Sequence, residues 1–369
     1  MKYPIHNKLA YFFIACTDWV LQKCVVQKKV PISVPKRILI CNTAHLGDVI
    51  LTTALLPVLR KALPQAHLSM LVGSWSRPLV EKHPLLDCFH MIDHWKVSRF
   101  KEPLLIKCIR YLKMRRKVRK EIRHYDLAID CGLHFPNMAP LLWSASIPIR
   151  IGFVSAGFSP LLTHALPWNP LQNRSVMEAF VSLLELLPIQ IDHAILRPSI
   201  PITPPNPQSY IVIHMGSGNP QKNWPEANWK ELATRLAQEG RRLLFTGIGQ
   251  EENQAIERVI AQVPQAENLC GKLSCQQFAS TIQNATLLIA TDSSAGHIAS
   301  AVGTPAVLLY TGIHPRNVWS PFNNRQQILT HPMPCSPCLK GCKSMACIRA
   351  ISVDAVYGAI RSLAPKHFS

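Results

Sequence analysis

One stretch in the second half of the chain has the residue types and the spacing that favour anion binding. Residues 210–213 form an apolar, β-branched run, which is typical of a buried strand. The loop that follows contains Gly216, Ser217, Gly218 and Lys222, and a helix with an apolar face comes next. At a helix N-terminus, unpaired N–H groups and the helix dipole favour an anion. Ser217 adds a hydroxyl donor and Lys222 a positive charge, so an anion site is predicted, with an ordinary strand-to-helix turn as the alternative.

A carboxylate, Asp48, lies where another predicted strand meets a helix. The strand is residues 37–41, and the helix is predicted over residues 49–63, with Pro57 expected to kink it. Asp48 would then lie at the carboxyl edge of a parallel sheet, which is where open α/β sheets bind ligands. An aspartate at this position acts either as a helix N-cap or as a catalyst, and the spacing alone leaves both open.

The remaining elements repeat the same strand-then-helix pattern, which predicts parallel sheets. Further strands are predicted at 68–72, 89–92, 125–130 and 149–153 in the first half, and at 241–245, 285–290 and 305–310, the last strand, in the second. Five prolines crowd the residues from 198 to 207 and indicate a stiff linker. The chain is therefore expected to be α/β, with two Rossmann-like doubly wound domains facing each other across a cleft.

Three segments follow from this pattern. Residues 1–35 form an N-terminal basic extension, residues 36–200 one Rossmann-like domain and residues 208–369 the other. A last helix over residues 353–363 is expected to return and pack across the first domain.

Composition indicates a globular chain with an anionic partner. The 369 residues are 48% hydrophobic and 17% charged, which excludes a disordered chain. Forty Lys and Arg against 21 Asp and Glu give a formal net charge of +19. Such an excess favours nucleic acid, acidic lipid or a phosphorylated substrate as partner. Twelve cysteines without a convincing secretion signal favour a reducing compartment, hence the cytoplasm.

Two helices could bring the chain to a membrane. The apolar run 9–16 resembles the core of a signal peptide but is short and is interrupted by Asp18. It is predicted to be an amphipathic helix that either packs on the body or lies on a membrane surface. The segment 96–123 is rich in lysine and arginine, with apolar residues interleaved. It suits a surface of anionic lipid, a solvated helix packed on the sheet, or a nucleic-acid face.

A cysteine cluster near the C-terminus has spacing that could hold zinc. Its members are Cys335, Cys338, Cys342 and Cys347. Four thiolates at such intervals are typical of structural zinc sites, and reduced or disulfide-paired cysteines are the alternative.

Several of these motifs, taken in order, resemble glycosyltransferase family 9, the lipopolysaccharide heptosyltransferases with the two-domain GT-B fold. The matching stretches are 47–53, 125–130, 214–218 with Lys222, Trp224 and Pro225, and Asp292-Ser293 with His297. The resemblance runs from about residue 36 to the C-terminus. The departures are Asn42, where the family often has Lys or Arg, Ser294, where it has glycine, and the run 310–315.

The resemblance implies roles for individual residues. Asp48 would be the catalytic base of an inverting sugar transfer. The donor, expected to be ADP-heptose, would be bound by Ser217, Gly218, Lys222, Glu251 at the ribose, Asp292, Ser293 and His297. The first domain of a GT-B enzyme receives the acceptor, so a basic cluster there would meet an anionic lipopolysaccharide core at the inner face of the cytoplasmic membrane. That cluster is Arg115, Arg116, Lys117, Arg119 and Lys120.

No cofactor is expected to be required, because Lys222 and a helix N-terminus can neutralise a leaving diphosphate without a metal. Zinc at the cysteine cluster is the exception left open. Two other classes of function stay open as well: a basic nucleic-acid-binding protein, although the resemblance predicts no nucleic-acid partner, and a non-catalytic relative that binds sugar nucleotides.

Overall fold

The chain divides into two units, each with its own sheet. The computed structural model describes residues 8–25, 30–98, 101–134, 136–169, 171, 174–322, 325–339, 342 and 344–363. The first unit is Met1–Gln172 with Val176–Pro201, and the second is Asn173–Ser175 with Ile202–Ser369. Residues 1–7 and 26–29 of the predicted extension lie outside the described residues.

The first unit is built on a six-stranded parallel sheet. Its strands are β1 (Arg37–Asn42), β2 (His67–Val72), β3 (Cys88–Met91), β4 (Leu127–Asp130), β5 (Ile149–Phe153) and β6 (His164–Leu166). The spatial order is β3-β2-β1-β4-β5-β6, and every pairing is parallel. The central strands are almost wholly buried, because helices cover both faces of such a sheet.

The second unit repeats this topology. Its strands are β7 (Tyr210–His214), β8 (Arg242–Thr246), β9 (Ala266–Asn268), β10 (Leu287–Thr291), β11 (Ala306–Tyr310) and β12 (Gln326–Thr330). The order β9-β8-β7-β10-β11-β12 is that of the first sheet, and every pairing is again parallel. The prediction that 305–310 is the last strand is wrong, because β12 follows it. Only Ile328 of β12 is buried, so no apolar run marks this edge strand.

Helices connect the strands. They are α2 (Leu46–Thr53), α3 (Leu55–Ala62), α4 (Arg77–Val80), α5 (Leu104–Ile122), α6 (Ala139–Ser144) and α7 (Val176–Leu184) in the first unit, after α1 (Lys8–Cys24). The helix predicted over 49–63 is two helices joined at Ala54. Pro57 explains the break, because it has no N–H for the carbonyl of Thr53 and its ring crowds that carbonyl.

The helix α1 packs on the first unit. Ile14 is 2% exposed, and its Cγ2 lies so close to Gly157 that a Cβ there would be 2.7 Å away. Asp18 is also buried and accepts a hydrogen bond from the Phe158 backbone N–H at 2.7 Å. A buried carboxylate needs such partners, so Asp18 fixes the helix to the loop after β5. Of the two alternatives for the N-terminal helix, packing on the body is therefore observed for this face of α1.

The second unit carries α8 (Glu226–Gln238), α9 (Gln250–Ile260), α10 (Cys275–Gln283), α11 (Ser294–Val302), α12 (Ala346–Arg349) and α13 (Val353–Leu363). The final helix has the predicted bounds, but it packs on α8, β11 and β12 of its own unit. There the Arg235 guanidinium lies 3.6 Å from the centre of the Tyr357 ring. The expected packing of this helix across the first domain stays a prediction.

Asp130 is a buried carboxylate at the end of β4. It accepts hydrogen bonds from the N–H groups of Met138 at 2.7 Å and Gly132 at 3.1 Å. Burial raises the pKa of Asp130 to about 6, although these N–H groups lower it. An unfolded aspartate titrates near 3.9, so the folded chain holds a proton between about pH 4 and 6 that the unfolded chain releases. The free energy of unfolding therefore falls as pH rises through this window, and stays lower above it.

Replacing Asp130 with asparagine, which resembles the protonated carboxyl, should remove this pH dependence. Relative to the variant, the wild type is expected to lose about 1–3 kcal/mol of stability between pH 4 and 7. Urea-induced unfolding of both proteins near pH 4.5 and near pH 7 measures the difference. A difference in stability that does not change with pH would contradict the prediction.

Candidate functional site

The second sheet reverses its strand order between β7 and β10. These two strands are adjacent, and the connections that leave them run to opposite sides, which opens a crevice at their carboxyl ends. The Thr291 hydroxyl, at the end of β10, donates to the Gly216 carbonyl at 2.8 Å. This bond joins the loop after β7 to the loop after β10, which are the two loops that carry most of the predicted donor residues.

An ion pair spans these two loops. The Lys222 Nζ lies 2.7 Å from Asp292 Oδ2, although the residues are 70 positions apart in the sequence. The side chains are 23% and 15% exposed, so the pair is largely withdrawn from water. The predicted phosphate-binding cation is thus held at the switch point of the sheet by a carboxylate.

Two polar side chains beside this pair have buried atoms without a partner among the described residues. They are the Ser293 Oγ and the His297 Nδ1, at the start of α11. Burial lowers the pKa of His297 to about 4, with Asp292 raising it and Lys222 lowering it. The imidazole is therefore neutral at pH 7. Unpaired buried polar atoms cost free energy, so these two are suited to hydrogen bonds with a ligand.

The loop after β7 is held by its own side chains. The Ser217 Oγ lies 2.6 Å from the Asn219 carbonyl and 2.9 Å from Asn223 Oδ1. The neighbouring Gly218 is exposed and has open space where a Cβ would stand. His214 Nδ1 lies 3.0 Å from the Thr246 hydroxyl, and burial lowers the pKa of this histidine to about 4. Ser217 thus shapes the loop, and Gly218 leaves room for backbone to approach a ligand.

Two adjacent glutamates after β8 lie in different environments. Glu251, assigned to the ribose by resemblance, is exposed on the first turn of α9. Glu252 is half-buried and accepts a hydrogen bond from the Ile248 N–H at 2.9 Å. A Cβ at Gly216 would lie 2.2 Å from the Glu252 carboxylate, and one at Gly247 would lie 2.7 Å from it. Glu252 was not predicted from the sequence, although the two glycines that follow neighbouring strands indicate a close approach there.

In the first unit Asp48 lies at the corresponding switch point, after β1. Its Oδ2 accepts a hydrogen bond from the His45 N–H at 2.9 Å, at the start of α2. Asn42 is 2% exposed, and its Nδ2 donates to the Thr52 hydroxyl at 2.8 Å and to the Asp48 carbonyl at 3.2 Å. Asn42, which stands where the family often has Lys or Arg, therefore has a structural role, because its amide connects the end of β1 to α2.

The basic cluster lies on α5. The Arg115 Nη2 donates to the Pro140 carbonyl at 3.2 Å and so joins α5 to α6. The other four members, Arg116, Lys117, Arg119 and Lys120, are exposed.

The four clustered cysteines line one cavity of about 70 Å³. The Gly312 N–H donates to Cys347 Sγ at 3.3 Å. Hydrogen bonds from the Ser344 side chain and from backbone N–H groups lower the pKa of the Cys342 thiol. Among the described residues, no three His, Cys, Asp or Glu side chains lie close enough together to hold a metal ion.

The fold is that of known sugar transferases. A glycosyltransferase family 9 structure from Veillonella parvula superposes with a TM-score of 0.74 at 23% identity, covering 92% of this chain and 99% of that one. An Escherichia coli heptosyltransferase solved with ADP gives 0.71 at 18% identity, covering 89% and 100%. These likenesses give the chain the two-domain GT-B fold, which confirms the fold predicted from the sequence.

Sequence comparison gives the family. The chain is 25% identical over 302 residues to lipopolysaccharide heptosyltransferase 3 of Escherichia coli, covering 75% of this chain and 84% of that protein. It is also 25% identical over 313 residues to lipopolysaccharide heptosyltransferase 1 of Pseudomonas aeruginosa, covering 82% and 86%. The profile of "Glycosyltransferase family 9 (heptosyltransferase)" matches residues 112–349. The chain belongs to this family and is a glycosyltransferase. Within the part of it that the structure describes, no helix combines the length and apolar composition needed to cross a bilayer.

Proposed function

We propose that this enzyme transfers a heptose, or a related sugar, from ADP-heptose to a lipopolysaccharide core acceptor with inversion. The observation that carries the proposal is the Lys222–Asp292 pair beside the unpartnered Ser293 and His297 atoms. A cation and free hydrogen-bonding groups at a switch point suit a sugar nucleotide. The ADP moiety is favoured because a structural neighbour was solved with ADP and another with ADP-2-deoxy-2-fluoro heptose.

Each residue would have a definite part in the reaction. Asp48 would remove the proton from the acceptor hydroxyl as that oxygen attacks the anomeric carbon. Lys222 and the N-terminus of α11 would offset the charge that develops on the departing diphosphate. Ser293 and neutral His297 would form hydrogen bonds with the donor.

The nucleotide preference tests the proposal directly. ADP and ADP-heptose are expected to raise the melting temperature, and UDP, GDP and their sugars to have little effect at equal concentration. Isothermal calorimetry then gives the affinities. Stabilisation by a uridine or guanosine nucleotide but not by ADP would overturn the assigned donor.

The two glutamates can be separated by mutation. Glu252→Ala is expected to weaken ADP binding by about 1–3 kcal/mol, because its carboxylate lies against the loops at the switch point. Glu251→Ala serves as the matched control and should change affinity less, since Glu251 is exposed. Calorimetry on both variants decides between them. A larger loss of ADP affinity in Glu251→Ala would support Glu251 as the ribose-binding residue, as the family resemblance implies.

We infer that transfer needs no metal, because Lys222 already supplies a cation at the site. Activity is expected to survive treatment with a chelator. Zinc at the four cysteines would be a separate, structural site, and metal analysis of the purified protein tests for it.

The acceptor class sets where the enzyme would work. A lipopolysaccharide core carries anionic groups and is anchored in a bilayer, which agrees with the net charge of +19. We propose that the enzyme acts as a peripheral protein at the cytoplasmic face of the inner membrane.

A further inference from the structure

Exposed apolar side chains are concentrated on three helices of the first unit. The described residues include fourteen large hydrophobic side chains that are exposed, and ten of them belong to α1, α5 and α6. They are Phe12, Phe13, Trp19 and Val20 on α1, Trp143 on α6, and Leu104, Leu105, Ile106, Ile109 and Leu112 on α5. Scattered single residues of this kind are normal on a surface, but such a concentration marks an interaction site.

These three helices are neighbours. α5 packs on α6 and is joined to it by the Arg115 hydrogen bond to Pro140. Leu21 and Val25, at the end of α1 and just beyond it, pack against a cluster formed by Ala139 of α6 with Leu161 and Leu162. The turn Ser159–Leu161 contacts both α1 and α6, so it joins α1 to the α6–α5 pair on the first unit.

The two longer helices each present two different faces. On α1, Ile14 and Asp18 are buried against the body, whereas Phe12 and Trp19 are 67% and 63% exposed. A helix that is apolar on both sides needs a second apolar environment. Packing on the body of the first unit buries only the side of α1 that carries Ile14, and the side that carries Phe12 and Trp19 stays uncovered.

On α5 the outward stripe changes character along the helix. Leu105, Ile109 and Leu112 follow one another at helical spacing and are 71%, 46% and 51% exposed. The same stripe continues through Arg116 and Lys120, which are exposed as well. An apolar segment followed by a basic one on the same face suits the boundary between acyl chains and anionic headgroups.

The charge on this layer identifies the partner. The sequences of α1, α5 and α6 contain ten lysines and arginines and only two acidic residues. Asp18 is buried, and Glu121 lies 3.1 Å from His90 and 3.8 Å from Lys117. The surface therefore offers apolar and cationic groups with almost no anionic ones.

We propose that the outward surface of α1, α6 and α5, the docking face, binds an anionic bilayer by inserting its apolar side chains between the headgroups. The inference rests on the proposed membrane-borne acceptor, and it assigns the contact to named residues. Apolar insertion gives a part of the binding that salt does not weaken, and the basic stripe gives a part that salt screens.

Vesicle co-sedimentation separates the two parts, using vesicles that contain phosphatidylglycerol and vesicles of phosphatidylcholine alone. The apolar variant combines Leu105→Ser, Ile109→Ser and Leu112→Ser. It is expected to lose about 10- to 100-fold in partitioning to the anionic vesicles at high salt as well as at low salt. The basic variant combines Arg116→Gln, Lys117→Gln, Arg119→Gln and Lys120→Gln. It should lose binding mainly at low salt.

A matched control removes an exposed apolar residue elsewhere. Phe322→Ser, in the second unit, should leave vesicle binding unchanged. All variants should keep the wild-type affinity for ADP, so a failure of the donor proposal would be visible separately. As a measurement that needs no loss of apolar surface, lipids brominated in the acyl chain should quench the fluorescence of Trp19, and Trp19→Phe should remove that component.

Three outcomes would overturn the proposal. Wild-type vesicle binding by the apolar variant, without quenching of Trp19, would show that the apolar side chains of the docking face do not insert into the bilayer. A wild-type oligomer that the same substitutions convert to a monomer would show that the face binds a second copy of this chain. If the wild type binds bare RNA but not vesicles, and the basic variant loses the binding to RNA, the basic residues of α5 belong to a nucleic-acid interface.

Discussion

Replacing Asp48 with asparagine is expected to lower turnover by about 10²–10⁴-fold while the variant binds ADP as tightly as the wild type. The amide oxygen of asparagine can still accept the hydrogen bond that Asp48 Oδ2 receives from the His45 N–H at 2.9 Å. The helix start should therefore persist, and only the capacity to take a proton is lost. Single-turnover assays with ADP-heptose and calorimetry with ADP measure the two quantities.

Asp192→Asn is the matched control for this prediction. Asp192 is also a carboxylate of the first unit. Its Oδ2 lies 2.6 Å from Lys61 Nζ, and neither residue belongs to the loops at the switch point. Its replacement should leave turnover near the wild-type value. Turnover near wild type in Asp48→Asn would instead mean that this carboxylate is a helix-capping residue.

The buried strands could be predicted from the sequence because burial on both faces leaves a continuous apolar run. Residues 149–153 and 210–213 are examples. The first prediction has the bounds of β5, and the second differs from β7 by one residue, because β7 ends at His214. β9 and β12 lie at sheet edges with few buried side chains, so they carry no such run. Pro57 predicted a kink within one helix, whereas the structure has two helices that meet at Ala54. The position of the disruption was thus indicated by the sequence, but its extent was not.

The sequence indicates candidate site residues one at a time, but it does not indicate how they are arranged. Lys222 and Asp292 pair only because β7 and β10 are adjacent, and sequence spacing does not specify which strands pair. Glu252 differs from Glu251 by its approach to Gly216, which depends on the register between β7 and β8. The outward apolar face of α1 was also hidden, because an apolar run does not show which of its residues pack inward.

Lys222→Ala is expected to weaken ADP binding by about 1.5–3 kcal/mol, which corresponds to roughly 10- to 150-fold in the dissociation constant. Two effects combine in this variant. The charge-assisted hydrogen bond from Nζ to a phosphate is lost. In addition, Asp292 loses its partner, because in the wild type its Oδ2 lies 2.7 Å from Lys222 Nζ. In the variant this carboxylate would face the diphosphate without a cation between them.

The second effect can be isolated by a double substitution. Asp292→Asn in the Lys222→Ala background removes the unpaired carboxylate, so it should recover part of the lost ADP affinity. Lys230→Ala removes a lysine of α8 that contacts only Gln262 in the described hydrogen bonds, and it controls for the loss of net charge. Calorimetry with ADP at low and high salt measures all four proteins. If Lys222→Ala binds ADP as the wild type does, the loop after β7 is not the anion site. If Asp292→Asn recovers nothing in the double variant, the carboxylate does not oppose the phosphates, and the Lys222–Asp292 pair serves only to hold the two loops together.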